Sequence, residues 1–430
     1  MNNRIHRFYY GWVIVALSFF TLFLAMGTRF TFGVYYIAIL GEYDWGRAET
    51  AGAFSLAMVF HAIFSPVSGI LVDRFGPRKL FPIGAIFLFL GLLAASRISA
   101  VWHLYLFFGV VVSIGINSLS YSPVISIIPK WFIRKRGLAT GLALSGVGAG
   151  TFLLVPFNEL MIATLGWRSA FLILSGIILF FLVPATALFY RRSPRDMGLY
   201  PDGIVPEDED PSPLQPEKDI PPSDDVPVYW TFKDAARVKA FWFMTFVIVC
   251  DAFVVNMLLV HQAVYIVDLG YSKMLAASLV GLVGLLRSLG GILCGFLSDH
   301  MGSKRGYTLG SILTFFGILA LLFVKNTLSP WMLYTFVILY GIGFGAKAAM
   351  IATINSDLFP GNALGSIMGT QSIGFGIGGA IGAYLGGYYY DQMGTYFVPF
   401  LLLLASVILS VFSIWMTTPH PWRSSHNIAG

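Results

Sequence analysis

The sequence predicts an all-α membrane protein: twelve transmembrane helices in two pseudo-symmetric six-helix bundles. Three observations carry this. The chain has too few charges for a water-soluble surface, it contains twelve apolar runs of membrane-spanning length, and one motif recurs in both halves. Of 430 residues, 57% are hydrophobic and only 11% are Asp, Glu, Lys or Arg, against about 25% in soluble domains. The mean hydropathy is +0.77. So little charge cannot solvate a globule, which excludes the ordinary soluble class and, outside one segment, disorder. Cys250 and Cys294 both lie in apolar runs and suggest neither a disulfide framework nor a metal site.

A bilayer core about 30 Å thick needs about 20 apolar helical residues. Runs meeting that need lie at approximately 10–38, 51–72, 80–97, 102–129, 137–163, 167–190, 240–267, 274–298, 307–325, 330–358, 364–390 and 395–417. Spanning strands would be about 10 residues long with alternating polarity. These runs are longer and apolar all round, so each is predicted to be a helix that satisfies its own backbone in lipid. Arg4, His6 and Arg7 precede the first run, and no small-residue cleavage pattern follows, so no signal peptide is expected. With that end in the cytoplasm, 19 Lys or Arg fall on the cytoplasmic side and five on the other. This bias predicts a multi-pass protein of the cell (inner) membrane with N- and C-termini cytoplasmic. The cations are scattered over short loops and form no basic face, so no nucleic-acid partner is expected.

Residues 191–239 interrupt the pattern. From Tyr200 to Tyr229 the chain is rich in Pro, Asp and Glu and has no periodicity, which reads as an acidic cytoplasmic linker. The expected division is an N-terminal six-helix bundle over 1–190, the linker over 191–239 and a C-terminal six-helix bundle over 240–430. The halves share a motif. Gly69-Ile-Leu-Val-Asp73-Arg74-Phe-Gly76-Pro-Arg78-Lys79 follows the second run, and Gly295-Phe-Leu-Ser-Asp299-His-Met-Gly302-Ser-Lys304-Arg305 follows the eighth. Gly, Asp, Gly and a basic pair recur at equal offsets, the mark of an internal repeat. The glycines suit a tight turn between close helices. Asp73 and Asp299 at helix ends, with Arg74 and Arg78, suit a latch holding one conformer.

That loop resembles the signature of the major facilitator superfamily of transporters, with its degenerate copy in the second half. The resemblance covers nearly the whole chain and implies the major facilitator fold. A finer resemblance rests on an ordered set. It comprises Arg29-Phe-Thr-Phe-Gly33-Val-Tyr-Tyr, Asp44-Trp45-Gly46-Arg47-Ala48, Lys130-Trp131-Phe132-Ile-Arg134-Lys135-Arg136-Gly137, Ser145-Gly146-Val-Gly148-Ala-Gly150 and Gly166-Trp167-Arg168. Together these are similar to the bacterial oxalate:formate antiporter and monocarboxylate transporter group. The resemblance implies a carrier of small organic anions, monocarboxylates such as lactate or pyruvate, moved by exchange or with protons.

The charges inside the runs are the candidate site, because an ionisable group in mid-bilayer costs several kcal/mol on most scales. The reading selects Arg29, Asp251, Arg287 and Lys347. Asp251 lies roughly 16 Å and Arg287 roughly 20 Å into their helices at about 1.5 Å per residue. Three cations against one anion give a pathway that attracts anions. A carboxylate matches a guanidinium fork through two charge-assisted bonds, so Arg287 is the expected substrate anchor; the alternative is a structural ion pair with Asp251. A carboxyl whose partner comes and goes can carry one proton per cycle, which makes Asp251 the proton-coupling candidate; the alternative is a fixed counter-ion for Arg287 or Lys347. Arg29 resembles in position the first-span lysine of the monocarboxylate transporters, here replaced by arginine, and snorkelling to the interface is its alternative. Lys347 follows Gly341, Gly343 and Gly345, which are read as loosening its helix; snorkelling is its alternative too.

In that group the eighth-span arginine stands four residues before the position of Gly295. Here that place is Gly291, and Arg287 lies one turn earlier on the same face. Asn117 and Tyr121, four apart, are expected to share a face and donate to a carboxylate, with helix–helix bonding as the alternative. Asn256, His261 and Gln262 are similar candidates, although His261 also suits the membrane interface. His61 is expected to bond a neighbour, and Gln371 and Tyr384 are candidate lining residues. Gly374-Phe-Gly376-Ile-Gly378-Gly379 matches Gly-x-Gly-x-x-Gly, but no strand precedes it, so it is a close-packing helix and no nucleotide site. An efflux carrier for cationic drugs is disfavoured by the positive pathway, and a non-transporting receptor by the intramembrane charges. An enzyme is disfavoured by the lack of a Gly-x-x-x-x-Gly-Lys loop, a His-Glu-x-x-His pair or a triad. No cofactor and no metal are expected. The expected partners are a small organic anion, protons and the lipid bilayer, with the chain a monomer.

Overall fold

The computed structural model describes residues 9–203, 230, 232–360 and 364–417, apart from the side chains of residues 69, 73, 122, 125, 232 and 294–301. The stretch read as an acidic linker falls largely outside the described residues, as do both termini. Helices account for nearly all the described residues, and no strand occurs among them.

The spanning helices are α1 (Gly11–Leu40, bent at Thr31), α2 (Arg47–Phe75), α3 (Pro77–Ala95), α4 (in two pieces, Val101–Ser118 and Tyr121–Trp131), α5 (Arg136–Leu165) and α6 (Trp167–Phe189). The second half supplies α7 (Lys239–Asp268), α8 (Lys273–Met301), α9 (Ser303–Phe323), α10 (Pro330–Leu358), α11 (Leu364–Met393) and α12 (Phe397–Met416). Eleven of these runs are apolar enough by composition to cross a membrane. The remaining helix, α11, is 30 residues long, about 45 Å at 1.5 Å per residue. Its glycines dilute its hydropathy without shortening it.

The repeated loop motif has one shared backbone cause. Gly76 and Gly302 occupy the same place in the two copies and take φ of +76° and +82°, a region that glycine enters without steric cost. Each ends one helix and starts the next. The exposed Arg74 and Arg78 flank the first copy, with Arg74 over the Phe75 ring. Gly69 stands within α2, and the side chains of Asp73 and Asp299, the rest of the expected latch, lie outside the described residues.

Small residues set how closely the helices approach. A Cβ on Gly345 would run into the Arg287 carbonyl oxygen and stand 2.7 Å from the Gly291 nitrogen. On Gly341 it would stand 2.7 Å from Leu286 Cβ, and on Gly343 2.8 Å from the Thr314 nitrogen. These three glycines therefore lock α10 against α8 and α9; the expectation that they loosen the helix is corrected. Gly345→Ala is expected to overpack this contact at a cost of about 1–3 kcal/mol, read as a lower melting midpoint in detergent. Gly176→Ala, where a Cβ meets nothing within 4 Å, is the matched control.

The first six helices meet the last six along two glycine-bearing seams, α5 against α8 and α2 against α11. A Cβ on Gly148 would stand 2.8 Å from the Gly284 oxygen, and one on Gly376 2.6 Å from the Met58 oxygen. Towards the end away from the termini, here the far end, the seams close further. Ser55 Oγ donates to the Ala380 carbonyl at 2.8 Å. Arg47 binds Asp268 through both terminal nitrogens at 2.7 and 3.0 Å, and its guanidinium lies 3.6 Å above the Tyr390 ring. Asp391 accepts from the Arg47 and Ala48 backbone N–H groups at 2.9 and 2.8 Å, so a carboxylate from one half caps a helix N-terminus of the other. Within the first half, Glu42 ties the end of α1 to the start of α6 through side-chain bonds. Burial pushes its carboxyl up, but bonds from Trp167 and Arg168 outweigh this and hold it below its usual value. Towards the termini the seams part. Gly137 and Gly141 continue the α5 stripe, Gly365 and Gly369 the α11 stripe, and a Cβ on any of them meets nothing within 4 Å.

Candidate substrate site

Arg287 stands 14 residues into α8, about 21 Å from its far end. Its guanidinium lies 4.3 Å from the Phe344 ring centre and 5.9 Å from that of Phe30. Planar guanidinium stacks well on aromatic faces. Nη2 donates to the Tyr121 hydroxyl at 3.2 Å, joining α8 to α4 across the two halves. Among the described residues no carboxylate pairs with Arg287. The guanidinium borders a small cavity, with room for about one water, walled by α1, α5, α7, α8 and α10.

Arg29 is 8% exposed at mid-depth of α1. Nη2 donates to Asn256 Oδ1 and to Met58 Sδ, both at 3.1 Å, while Nε has no partner. It too has no carboxylate among the described residues. It borders a second, smaller cavity with Phe54, His61, Phe108 and Asn117.

Asp251 pairs with Lys347 and not with Arg287. Lys347 Nζ donates to its Oδ1 at 2.5 Å and the Tyr307 hydroxyl to its Oδ2 at 3.0 Å. Lys347 and Asp251 side chains are 2% and 11% exposed. Of the two partners the sequence left open, the fold brings Lys347 to Asp251, because α10 and not α8 carries the nearer cation.

Asn117 and Tyr121 do not share a helical face. Pro123 has no N–H to give the Leu119 carbonyl, and its ring would clash with that carbonyl in a continuous helix. The helix accordingly stops at Ser118, Ser120 is extended, and a new helix starts at Tyr121. Asn117 Oδ1 then meets His61 Nδ1 at 2.5 Å, the neighbour bond expected of that histidine, while Tyr121 goes to Arg287. His261 is fully buried near the far end. Its Nε2 donates to the Ala383 carbonyl at 2.8 Å and its Nδ1 lies 3.1 Å from the Tyr396 hydroxyl. Those bonds engage both ring nitrogens in the far-end closure. Gln262 borders the Arg287 cavity, and its Oε1 is buried without a partner. Gln371 is fully buried with neither amide atom partnered. Tyr384 is 44% exposed and stacks on Tyr388, which places it on an outer face.

The Major Facilitator Superfamily family model matches residues 18–369 and again 288–429. The chain belongs to the Major Facilitator Superfamily. Superfamily members named monocarboxylate transporters are similar over almost the full length. Monocarboxylate transporter 13 of Bos taurus is 26% identical over 413 residues, covering 96% of this chain and 90% of the relative. Monocarboxylate transporter 12 of Homo sapiens is 26% identical over 415 residues, covering 93% and 79%. Among solved structures, a bacterial homologue of the human lysosomal transporter Spinster, inward-facing and unoccupied, superposes with a TM-score of 0.72. It is 16% identical and covers 94% of this chain and 96% of that one, a likeness of fold. The chain is thus a multi-pass membrane transporter of this superfamily and no enzyme.

The sequence reading overlooked one intramembrane acid of this transporter. Glu159 lies six residues before the end of α5, is 2% exposed, and its Oε2 has no partner. The signal was in plain sight, a carboxyl inside the fifth apolar run. It stands on the α5 stripe that faces α8: Phe152 and Pro156 touch Gly281, and Glu159 follows Pro156 at i+3. The membrane-embedded set is therefore three cations and two acids, and the positive balance is smaller than first counted.

Proposed function

We propose that this protein is a secondary active transporter of small organic anions of the monocarboxylate class, driven by a proton gradient and working by alternating access. The observation that carries the reading is Arg287. It is a guanidinium held at mid-bilayer between two aromatic rings, at the edge of a cavity between the halves, with no carboxylate partner among the described residues. A half-buried cation lacking a counter-ion carries part of the cost of desolvation, and a visiting carboxylate relieves that cost through a bidentate pair. Arg29, similarly unpaired, adds positive potential beside the route. Tyr121 is within reach of a carboxylate seated on Arg287. The names of the relatives point to the same substrate class.

In this reading residues 1–190 and 240–430 rock about the bound anion, with residues 191–239 as their tether. The Arg47–Asp268 pair and the Asp391 cap hold the far end shut while the end bearing the termini admits solute. The excess of Lys and Arg on the termini side supports both termini being cytoplasmic, in a cell (inner) membrane. The protein works as a monomer.

Two acids are proposed for proton coupling. Asp251 is the first, releasing its hold on Lys347 during the cycle. Glu159 is the second, and a specific observation favours it. It has no partner on Oε2, and it sits on the seam that must part when the far end opens. Anion uptake into liposomes with and without a pH step tests both. Asp251→Asn or Glu159→Gln at the coupling acid is expected to keep anion exchange and lose at least about tenfold of the gradient-driven stimulation. If neither change alters the response to pH, proton coupling through these acids is rejected. Failure of lactate, pyruvate, formate and oxalate all to move, with an organic cation moving instead, rejects the anion reading.

A further inference from the structure

We infer that His261 is a positioning residue of the far-end closure, which forms only while its imidazole is neutral, so that protons arriving from the far side hold that end open. This rests on the two halves parting at the far end during the cycle, and not on which solute is carried.

His261 lies seven residues before the end of α7, about 10 Å below that end at about 1.5 Å per residue. It is fully buried in the closed end. The Ala383 carbonyl can only accept, so the 2.8 Å bond to Nε2 fixes a proton on that nitrogen. Nδ1 of a neutral ring is then bare and accepts from the Tyr396 hydroxyl at 3.1 Å. The Tyr396 oxygen in turn accepts from Arg47 Nη1 at 2.9 Å. The bonds thus run one way, from Arg47 in the first half through Tyr396 and His261 to Ala383 in the second. Among the described residues the Tyr396 hydroxyl bonds no third group.

A second proton on the ring breaks that order. Nδ1–H would aim a donor at the Tyr396 oxygen, which already receives Arg47, and the hydroxyl hydrogen would lose its acceptor. A buried donor without a partner, and a second cation one hydroxyl away from Arg47, are both costly. The groups packed around the ring supply no free carboxylate. Tyr36 on α1 meets it edge to face at 5.6 Å and gives its hydroxyl to the Arg47 carbonyl. Tyr265 on α7 packs against Tyr396 and bonds the Leu321 and Val324 carbonyls. On α11, a Cβ on Gly386 would stand 2.7 Å from Nε2, and Tyr390 lies under Arg47. Of the nearby acids, Asp268 is held by both terminal nitrogens of Arg47, and Asp391 by the Arg47 and Ala48 backbone N–H groups.

Opening removes the conflict, because water then reaches the ring. An imidazole in water titrates at about pH 6.5. The open end therefore binds a proton that the closed end refuses, and by linkage acid favours the open end, approaching tenfold per pH unit below that value. A neutral or alkaline far side lets the end shut.

The test is pulsed EPR on purified full-length protein in nanodiscs, with Cys250 and Cys294 replaced by alanine. Spin labels go on Arg97→Cys and Leu328→Cys, exposed far-end positions in opposite halves. From about pH 7.5 to about pH 5.5 the ratio of long to short distances is expected to rise about fivefold to tenfold. His261→Gln is expected to cut that rise to less than about twofold, whatever its ratio at the higher pH. A merely structural histidine reads differently: the variant then opens at both pH values and keeps the rise, which overturns the inference. Asp251→Asn/Glu159→Gln is expected to keep the rise, since the proposed coupling acids are not its source; its loss there overturns the inference, as does a wild-type ratio that ignores pH. Should His261→Gln fail to fold, His261→Asn makes the same comparison, and without either the wild-type and double-acid profiles decide. The distances need no substrate, so failure of the anion reading leaves this result standing.

Discussion

Arg287→Gln protein is expected to insert and purify normally and to lose at least about thirtyfold in uptake of every carboxylate it carries. Removing one member of a desolvated, hydrogen-bonded charge pair costs about 2–5 kcal/mol, which corresponds to about thirtyfold to several thousandfold in affinity. The loss falls on the loaded protein alone. Among the described residues Arg287 has no ion-pair partner, so glutamine strands no carboxylate. Thermal stability in detergent should therefore hold or rise. Arg287→Lys tests the fork: an ammonium keeps the charge but cannot pair two oxygens side by side or stack between Phe344 and Phe30, so uptake should recover only in part. Near-normal uptake by the glutamine variant would remove Arg287 as anchor.

The Asp251–Lys347 pair predicts the opposite signature. Lys347→Met leaves the Asp251 carboxylate with only the Tyr307 hydroxyl for company, and Asp251→Asn leaves a buried ammonium unmatched. Breaking a buried pair from one side costs about 3–5 kcal/mol, while replacing both partners is often neutral. Each single variant should melt well below wild type in detergent, and Asp251→Asn/Lys347→Met should recover most of the loss. The same double variant separates structure from transport. If the pair only holds α7 to α10, uptake returns with stability. If Asp251 carries the proton, stability returns and the response to a pH step does not.

Much of this protein was legible before its coordinates. Oil demands about 20 apolar residues per crossing, so spans were countable from hydropathy, and α11 needed only the added remark that glycine is helical in lipid. The recurring loop motif was legible because Gly76 and Gly302 each must adopt positive φ, and few other residues can. Arg29, Arg287 and Lys347 announced themselves by being charged where charge is costly. Their partners did not. Asp251 sits near the depth of both Arg287 and Lys347, and spacing along the chain ranks neither. The Pro123 break was legible and passed over: i, i+4 arithmetic holds only while the helix is continuous. Glu159 was visible too, yet only its burial without a partner gives it meaning.

By itself the sequence determined that this chain lives in a bilayer, crosses it twelve times, repeats itself and keeps cations in the oil. Each of those is a local property: hydropathy along one helix, a turn that needs glycine, a charge and its solvation. The tertiary structure alone decided which acid neutralises which cation, that Tyr121 and not Asn117 reaches Arg287, and that Arg287 and Gln262 line one cavity. Pairing in a low-dielectric interior depends on distances of a few ångströms between helices far apart in the chain, and those distances follow from how glycine-bearing backbones nest together.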